Sequence, residues 1–303
     1  MKPITLTRNY ERGFSLAEAV IVIVITGIIF AVVAMFIRLP VQGYVQSEAR
    51  AELTDIADTA LRRMSRDLRL ALPNSVRVTN VGTRQYVEFL LTKTGARYLA
   101  EEDSPAAGLP YLKFSPPVNC VINPADCRFT VVGPLPAGQQ AIRQNDFIVV
   151  YNLSAVGMAP ANAYDCTGPC NRATVASDPA GGIITLTSNP FAAQPAPGFR
   201  SPGRHFHVVT TPVTYECDPA TRKLTRYWNY PIVRTQPSSA DSAELGGAMN
   251  ALLATDVNSC AFSYTNIANQ RNGLIGIALT LGSPLSDVGT VSLFSQVHVD
   301  NMP

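Results

Sequence analysis

Three groups of residues have the types and spacing to do chemistry. The first is Glu18, at the mouth of an apolar run. No charged residue occurs from Ala19 to Ile37. At the helical rise that run is about 28 Å long, close to the ~30 Å hydrocarbon core of a bilayer. A carboxylate there is costly, and so is a functional candidate by default. The plainer reading is capping, because Ser15-x-x-Glu18 has the S-x-x-E spacing ahead of an apolar run. The second group is six cysteines: Cys120, Cys127, Cys166, Cys170, Cys217 and Cys260. An even count, all beyond the apolar run, points to disulfides in an oxidising space. Zinc is the rival. Cys166 and Cys170 are ligand-spaced, but no second close pair with histidine follows at finger spacing. Nor does their spacing match the C-x-x-C of a redox site. The third group is His205 and His207, two apart and so on one face of a strand. No HExxH motif or carboxylate cluster accompanies them, and they read as an ordinary half-buried pair, with no metal expected. Glu101-Glu102-Asp103 lacks an EF-hand pattern and reads as a solvated acidic loop. With no G-x-S-x-G, P-loop or dinucleotide fingerprint, neither an enzyme nor a cofactor is expected.

These residues need elements to position them. The 303 residues suffice for one medium domain plus an appendage, or two small domains. The net charge of +2 gives no electrostatic case for a nucleic-acid partner. Ahead of the apolar run, Lys2, Arg8 and Arg12 against Glu11 form a basic segment that stays cytoplasmic by the positive-inside rule. A secretory signal would have a shorter apolar stretch and an A-x-A-like site after it. Here Ile37 leads instead into Arg38-Leu39-Pro40, so the run should be retained. Pro40 and Gly43 should kink or loosen the helix. Helical periodicity then resumes, with Leu53, Ile56, Ala57, Ala60, Leu61, Met64, Leu68 and Ala71 on one face. Glu52, Asp55, Asp58, Arg62, Arg66 and Arg69 lie opposite, and Asp58–Arg62 has ion-pair spacing. Pro73 and Asn74 end the helix. Beyond them short β-rich runs alternate with turns. Strands are expected at 75–81, 86–91, 129–132, 147–152, 183–187, 207–216, 224–230, 261–266, 275–281 and 290–299. Two irregular stretches, 101–127 and 155–182, hold four of the six cysteines.

The string Gly13-Phe14-Ser15-Leu16-Ala17-Glu18 resembles the type IV prepilin cleavage motif, G-F-T-L-x-E. The blocks ARAELTDIADTALRRMSRDLRLALPNSVRV (49–78) and LFSQVHVDNMP (293–303) resemble the MshO family of minor pilins of the mannose-sensitive haemagglutinin (MSHA) pilus. So do TYECDP and CAFSY, around Cys217 and Cys260. PilW-like minor pilins and J-type pseudopilins are related, whereas residues 95–205 match nothing. The resemblance implies cleavage between Gly13 and Phe14 by prepilin peptidase and N-methylation of Phe14. It also implies that Glu18 pairs with a neighbouring subunit's Phe14 ammonium, neutralising both charges in apolar surroundings. The implied fold is α+β, a long N-terminal helix packed on a β-rich head. The implied parts are a leader (1–13), a transmembrane helix (14–39), the periplasmic half of that helix (40–72) and a globular head with loop insertions (73–303). The implied location is the inner membrane, single-pass with a periplasmic head, and then the pilus. The implied partners are the peptidase, other minor pilins, the major pilin and the membrane. The implied function is assembly or initiation of an MSHA-type pilus at its tip. A type II secretion pseudopilin and a tip-borne adhesin are the alternatives. The expected disulfides are Cys120–Cys127, Cys166–Cys170 and Cys217–Cys260.

Overall fold

The apolar run and the amphipathic stretch after it form one helix, α1 (Leu16–Arg69), in the computed structural model. The structure describes residues 13–103, 108–158, 160–195, 198–239, 242–265, 272–282 and 289–302. The basic segment 1–12 and the expected strand end at residue 266 lie outside the described residues.

The chain divides into two compact units, Met1–Ala51 and Glu52–Pro303. In the first, α1 is long and apolar enough to cross a membrane, and its most apolar window buries nothing. Its one hydroxyl in mid-run, Thr26, donates to the carbonyls of Val22 (2.5 Å) and Ile23 (3.2 Å), so no polar group is left to face hydrocarbon unpaired. Pro40 lies inside the helix. It lacks an N–H, so it costs one backbone hydrogen bond without ending the element.

In the second unit α1 buries Leu53, Ala57, Ala60, Leu61, Met64 and Leu68, the face expected from periodicity. Asp58 and Arg62 form the expected ion pair at 2.7 Å. The helix ends at Arg69, before Pro73, because the chain joins a strand. Ala71 bridges Leu91, and the Leu72 amide donates to the Leu90 carbonyl at 2.7 Å.

Twelve strands follow among the described residues. They are β1 (Arg77–Val81), β2 (Arg84–Tyr98), β3 (Arg128–Val132), β4 (Phe147–Val149), β5 (Arg172–Ala180) and β6 (Ile183–Leu186). Then come β7 (His205–Asp218), β8 (Lys223–Trp228), β9 (Met249–Ala254), β10 (Val257–Thr265), β11 (Asn272–Gly282) and β12 (Thr290–Asp300), with a short helix α2 (Ala243–Gly246) before β9. Ten lie where strands are expected, with shifted ends. The expected 147–152 stops at Val149 because Tyr151 takes φ 54°, and 224–230 stops at Trp228 because Asn229 takes φ 62°. β5 and β9 are not among the expected strands. RATVASDPA and MNALLA have little strand propensity of their own; pairing with β4, β6 and β8 makes them strands.

All pairings are antiparallel. β10, β11 and β12 form a three-stranded sheet, and the other nine form one sheet with an internal closure. Within it β2 pairs β3, then β6, β5, β4 and β7 follow in turn, and β7 pairs back to β2. These six strands make a closed barrel. β2 and β7 are long enough to serve two regions. Gln85–Leu90 pairs with Cys217–Pro212 beside α1, and Thr92–Arg97 pairs with Val209–His205 in the barrel. Register shifts at Leu90/Thr92 and Thr92/Thr94 separate the two stretches. A bulge bends and twists a strand, and here it redirects both partners and leaves room for Pro212.

Each region has its own core. One joins the α1 stripe to Val87, Phe89, Val213, Tyr215 and the inner faces of β10, β11 and β12. The other fills the barrel with Tyr98, Phe114, Phe129, Phe191, Phe206 and aliphatic neighbours. The architecture is α+β, a long apolar helix followed by a β-rich head.

Candidate functional site

The N-terminal signal is built from Gly13 to Glu18. Gly13, Phe14 and Ser15 precede the helix, and α1 starts at Leu16. The Ser15 amide donates to Glu18 Oε2 at 3.1 Å, and its hydroxyl donates to the same oxygen at 3.0 Å. The Glu18 amide donates back to Ser15 Oγ at 3.3 Å. This is a complete capping box, so the local reading of Ser15-x-x-Glu18 is realised. Glu18 and Phe14 are both exposed, and Phe14 keeps 74% of its surface accessible. In this arrangement the Glu18 carboxylate has a local partner, and among the described residues it pairs with no cation.

The six cysteines form Cys120–Cys127, Cys166–Cys170 and Cys217–Cys260, with Cα separations of 5.4, 4.9 and 6.4 Å. No free thiol remains, so the zinc reading of Cys166 and Cys170 is overturned. The pairs do different work. Cys217 is on β7 and Cys260 on β10, so that bond ties the nine-stranded sheet to the three-stranded one. The other two close short loops on the barrel, ahead of β3 and ahead of β5. The first of these loops is also held by Asp126. Its carboxylate accepts from Lys113 Nζ (2.6 Å), the Asn119 amide (2.9 Å) and Asn123 Nδ2 (2.9 Å). The Lys113 hydrogen bond and then the Asn119 amide hold this carboxyl below the usual aspartate value.

Among the buried carboxylates, Asp67, Glu88 and Glu216 carry no sequence motif. Asp67 of α1 accepts from Tyr215 (2.8 Å) and Arg226 Nε (2.8 Å), and it also pairs with Arg63. Glu88 pairs with Arg77 at 2.8 Å and accepts from Tyr230 at 3.1 Å. Glu216 accepts from Tyr86 (2.8 Å) and Tyr227 (2.9 Å). Burial first, then the Glu216 hydrogen bond, pushes the Tyr86 hydroxyl up to about 12. These groups fix α1, β2, β7 and β8 against one another, and each carboxylate is fully engaged. The available signal was Asp67's place at the margin of the apolar stripe, one turn after Arg63.

The other candidates resolve structurally. Glu101 and Glu102 pair with Arg200, and Asp103 pairs with Arg204. The acidic loop is therefore ion-paired rather than merely solvated. His205 is exposed and His207 is half-buried on β7. Among the described residues no group of three histidine, cysteine or acidic side chains could hold a metal.

Residues 8–34 match the family described as the prokaryotic N-terminal methylation motif. The chain thus carries the prepilin-type signal of type IV pilin-like proteins, the class that includes pseudopilins. The motif and the apolar helix are consistent with membrane anchoring, processing by prepilin peptidase and assembly with other pilins. No curated protein and no solved structure matches the chain.

Proposed function

We propose that this chain is a minor subunit of a type IV pilus of the MSHA type, related to MshO, that takes part in assembly at the filament tip. The observation that carries this reading is the methylation motif at 8–34, which takes in the start of α1, a helix whose most apolar window is unburied. In the proposed sequence of events, prepilin peptidase cleaves between Gly13 and Phe14, and the new Phe14 amine is methylated. Glu18 then leaves its capping partner for the ammonium of a neighbouring subunit. A carboxylate and an ammonium that meet in apolar surroundings each remove the other's desolvation penalty. Bulk supports the tip. A head of about 230 residues has a radius of gyration near 17 Å, against about 13 Å for one of 100 residues. Heads along a shaft share one spacing, whereas nothing lies above the last subunit.

Glu18→Gln tests the assembly step. Gln preserves the capping box but cannot neutralise an ammonium. The variant should be processed and inserted normally yet be depleted from sheared filaments. Recovery at wild-type levels would overturn the role. A second reading, a tip-borne binding module, is favoured by one observation: the barrel has a core separate from the one that packs on α1. Loss of surface adhesion on deleting the barrel loops, with filament number unchanged, would support it.

A further inference from the structure

The sheets end in four outer strands, β1, β9, β10 and β12. Three of the four edges have neighbours. Along β1, Arg77 donates to the carbonyls of Arg234 (2.7 Å) and Val233 (3.0 Å), and Thr79 donates to Gln236 (2.7 Å). On β10, the Phe262 amide donates to Gln85 Oε1 at 2.7 Å. On β12, Ser295 meets Ser65 of α1 at 3.2 Å, and the strand carries His298 and Asp300. β9 differs. Its strand partner is β8, and no hydrogen bond reaches it from elsewhere among the described residues. Its sequence, MNALLA, has no charge, no proline and no glycine. Met249 and Leu252 are 56% and 52% exposed. Soluble proteins protect such edges with lysine, proline, bulges or a covering segment, because unpaired backbone groups recruit another strand.

The surroundings select the partner. Alternate β9 side chains face two grooves. Ala251 and Leu253 line a groove of about 850 Å³ with Arg62, Arg63, Arg66, Arg226 and Trp228. Arg62 is spoken for by Asp58, and Arg63 and Arg226 share Asp67. Arg66 has no ion pair among the described residues, so this groove carries surplus positive charge. On the other side, Asn250 and Leu252 line a groove where Arg84 is balanced by Glu216 and Asp218. We infer that the β9 edge is a docking site for an extended acidic segment of a neighbouring filament subunit. The segment adds beside β9 through backbone hydrogen bonds and places a carboxylate against Arg66. A second copy of β9 is a poor occupant, since it brings no carboxylate and a second Arg66. The class of partner rests on the filament reading above; the edge and its charge do not.

The test uses the full chain in cells that assemble the filament, with a benzophenone amino acid at position 252. The expected result is an adduct with a different subunit, mapped to an extended segment holding Asp or Glu. Arg66→Glu should lower the adduct roughly tenfold, the scale of one lost contact of about 1.4 kcal/mol. Leu252→Lys should deplete the chain from filaments while leaving its membrane level and disulfides intact. A chain recovered in filaments without an adduct at 252 overturns the edge proposal alone. So does an adduct with a second copy, or one indifferent to Arg66→Glu. Absence of the unsubstituted chain from filaments overturns the filament reading, and with it this class of partner.

Discussion

The helix-packed region and the barrel share β2 and β7 but are held together by different means. The first is an open arrangement. Two sheets would expose their apolar faces without the α1 stripe, and Cys217–Cys260 ties them across 43 residues of sequence. Buried charge fixes the docking of α1, with Asp67 holding Tyr215 and Arg226 at 2.8 Å. The barrel closes on itself. Its pairing ring needs no helix, its core sets five aromatic rings among aliphatic side chains, and its disulfides span 7 and 4 residues. Phe129 and Phe206 meet edge to face at 5.5 Å. A closed ring has no strand edges to protect. It can therefore be set between two stretches of β2 and β7 with only a pair of register shifts as the join.

Removing a keystone from the closed region is the harshest way to probe this division. Phe129→Ala empties the barrel core and should cost about 3–5 kcal/mol. Hydrogen exchange should accelerate in β3, β4, β5 and β6 before β10, β11 and β12. Uniform acceleration would mean the two cores are one cooperative unit. Replacing Cys217 and Cys260 with serine should cost about 4 kcal/mol by the loop-entropy relation, against about 2 for Cys120 and Cys127. Urea unfolding of the two double variants compares open and closed regions directly, and equal losses would contradict the contrast. Asp67→Ala strands the Arg226 guanidinium and the Tyr215 hydroxyl, for about 3 kcal/mol. Replacing Asp67, Arg226 and Tyr215 together by apolar residues should recover much of that loss.

The smallest effect is acid sensitivity at the barrel rim. The native Asp126 carboxyl lies below its unfolded value, so its contribution is present above the unfolded value. It is lost as pH falls through the native one. Carboxyl NMR between about pH 5 and 2 should show Asp126 titrating below an ordinary aspartate. The contacts of the 120–127 loop should loosen in the same range, and Asp126→Asn should remove that dependence.

The sequence by itself determined what repeats at a fixed short period or depends on near neighbours. The uncharged run, the Ser15–Glu18 box, the α1 stripe, the Asp58–Arg62 pair and the two local disulfides are of this kind. So are ten of the strands, whose apolar residues cluster between turn formers. Tertiary structure decided the rest. β5 and β9 became strands because partners offered unpaired backbone groups, against the preference of their own residues. Asp67, Glu88 and Glu216 became buried because Arg226, Arg77 and four tyrosines came to them from other elements. The barrel exists because β7 returns to β2 after more than a hundred residues. No local pattern carries that information: ring closure is a relation between strands, and a strand's sequence specifies its two faces but not which neighbour stands at its edge.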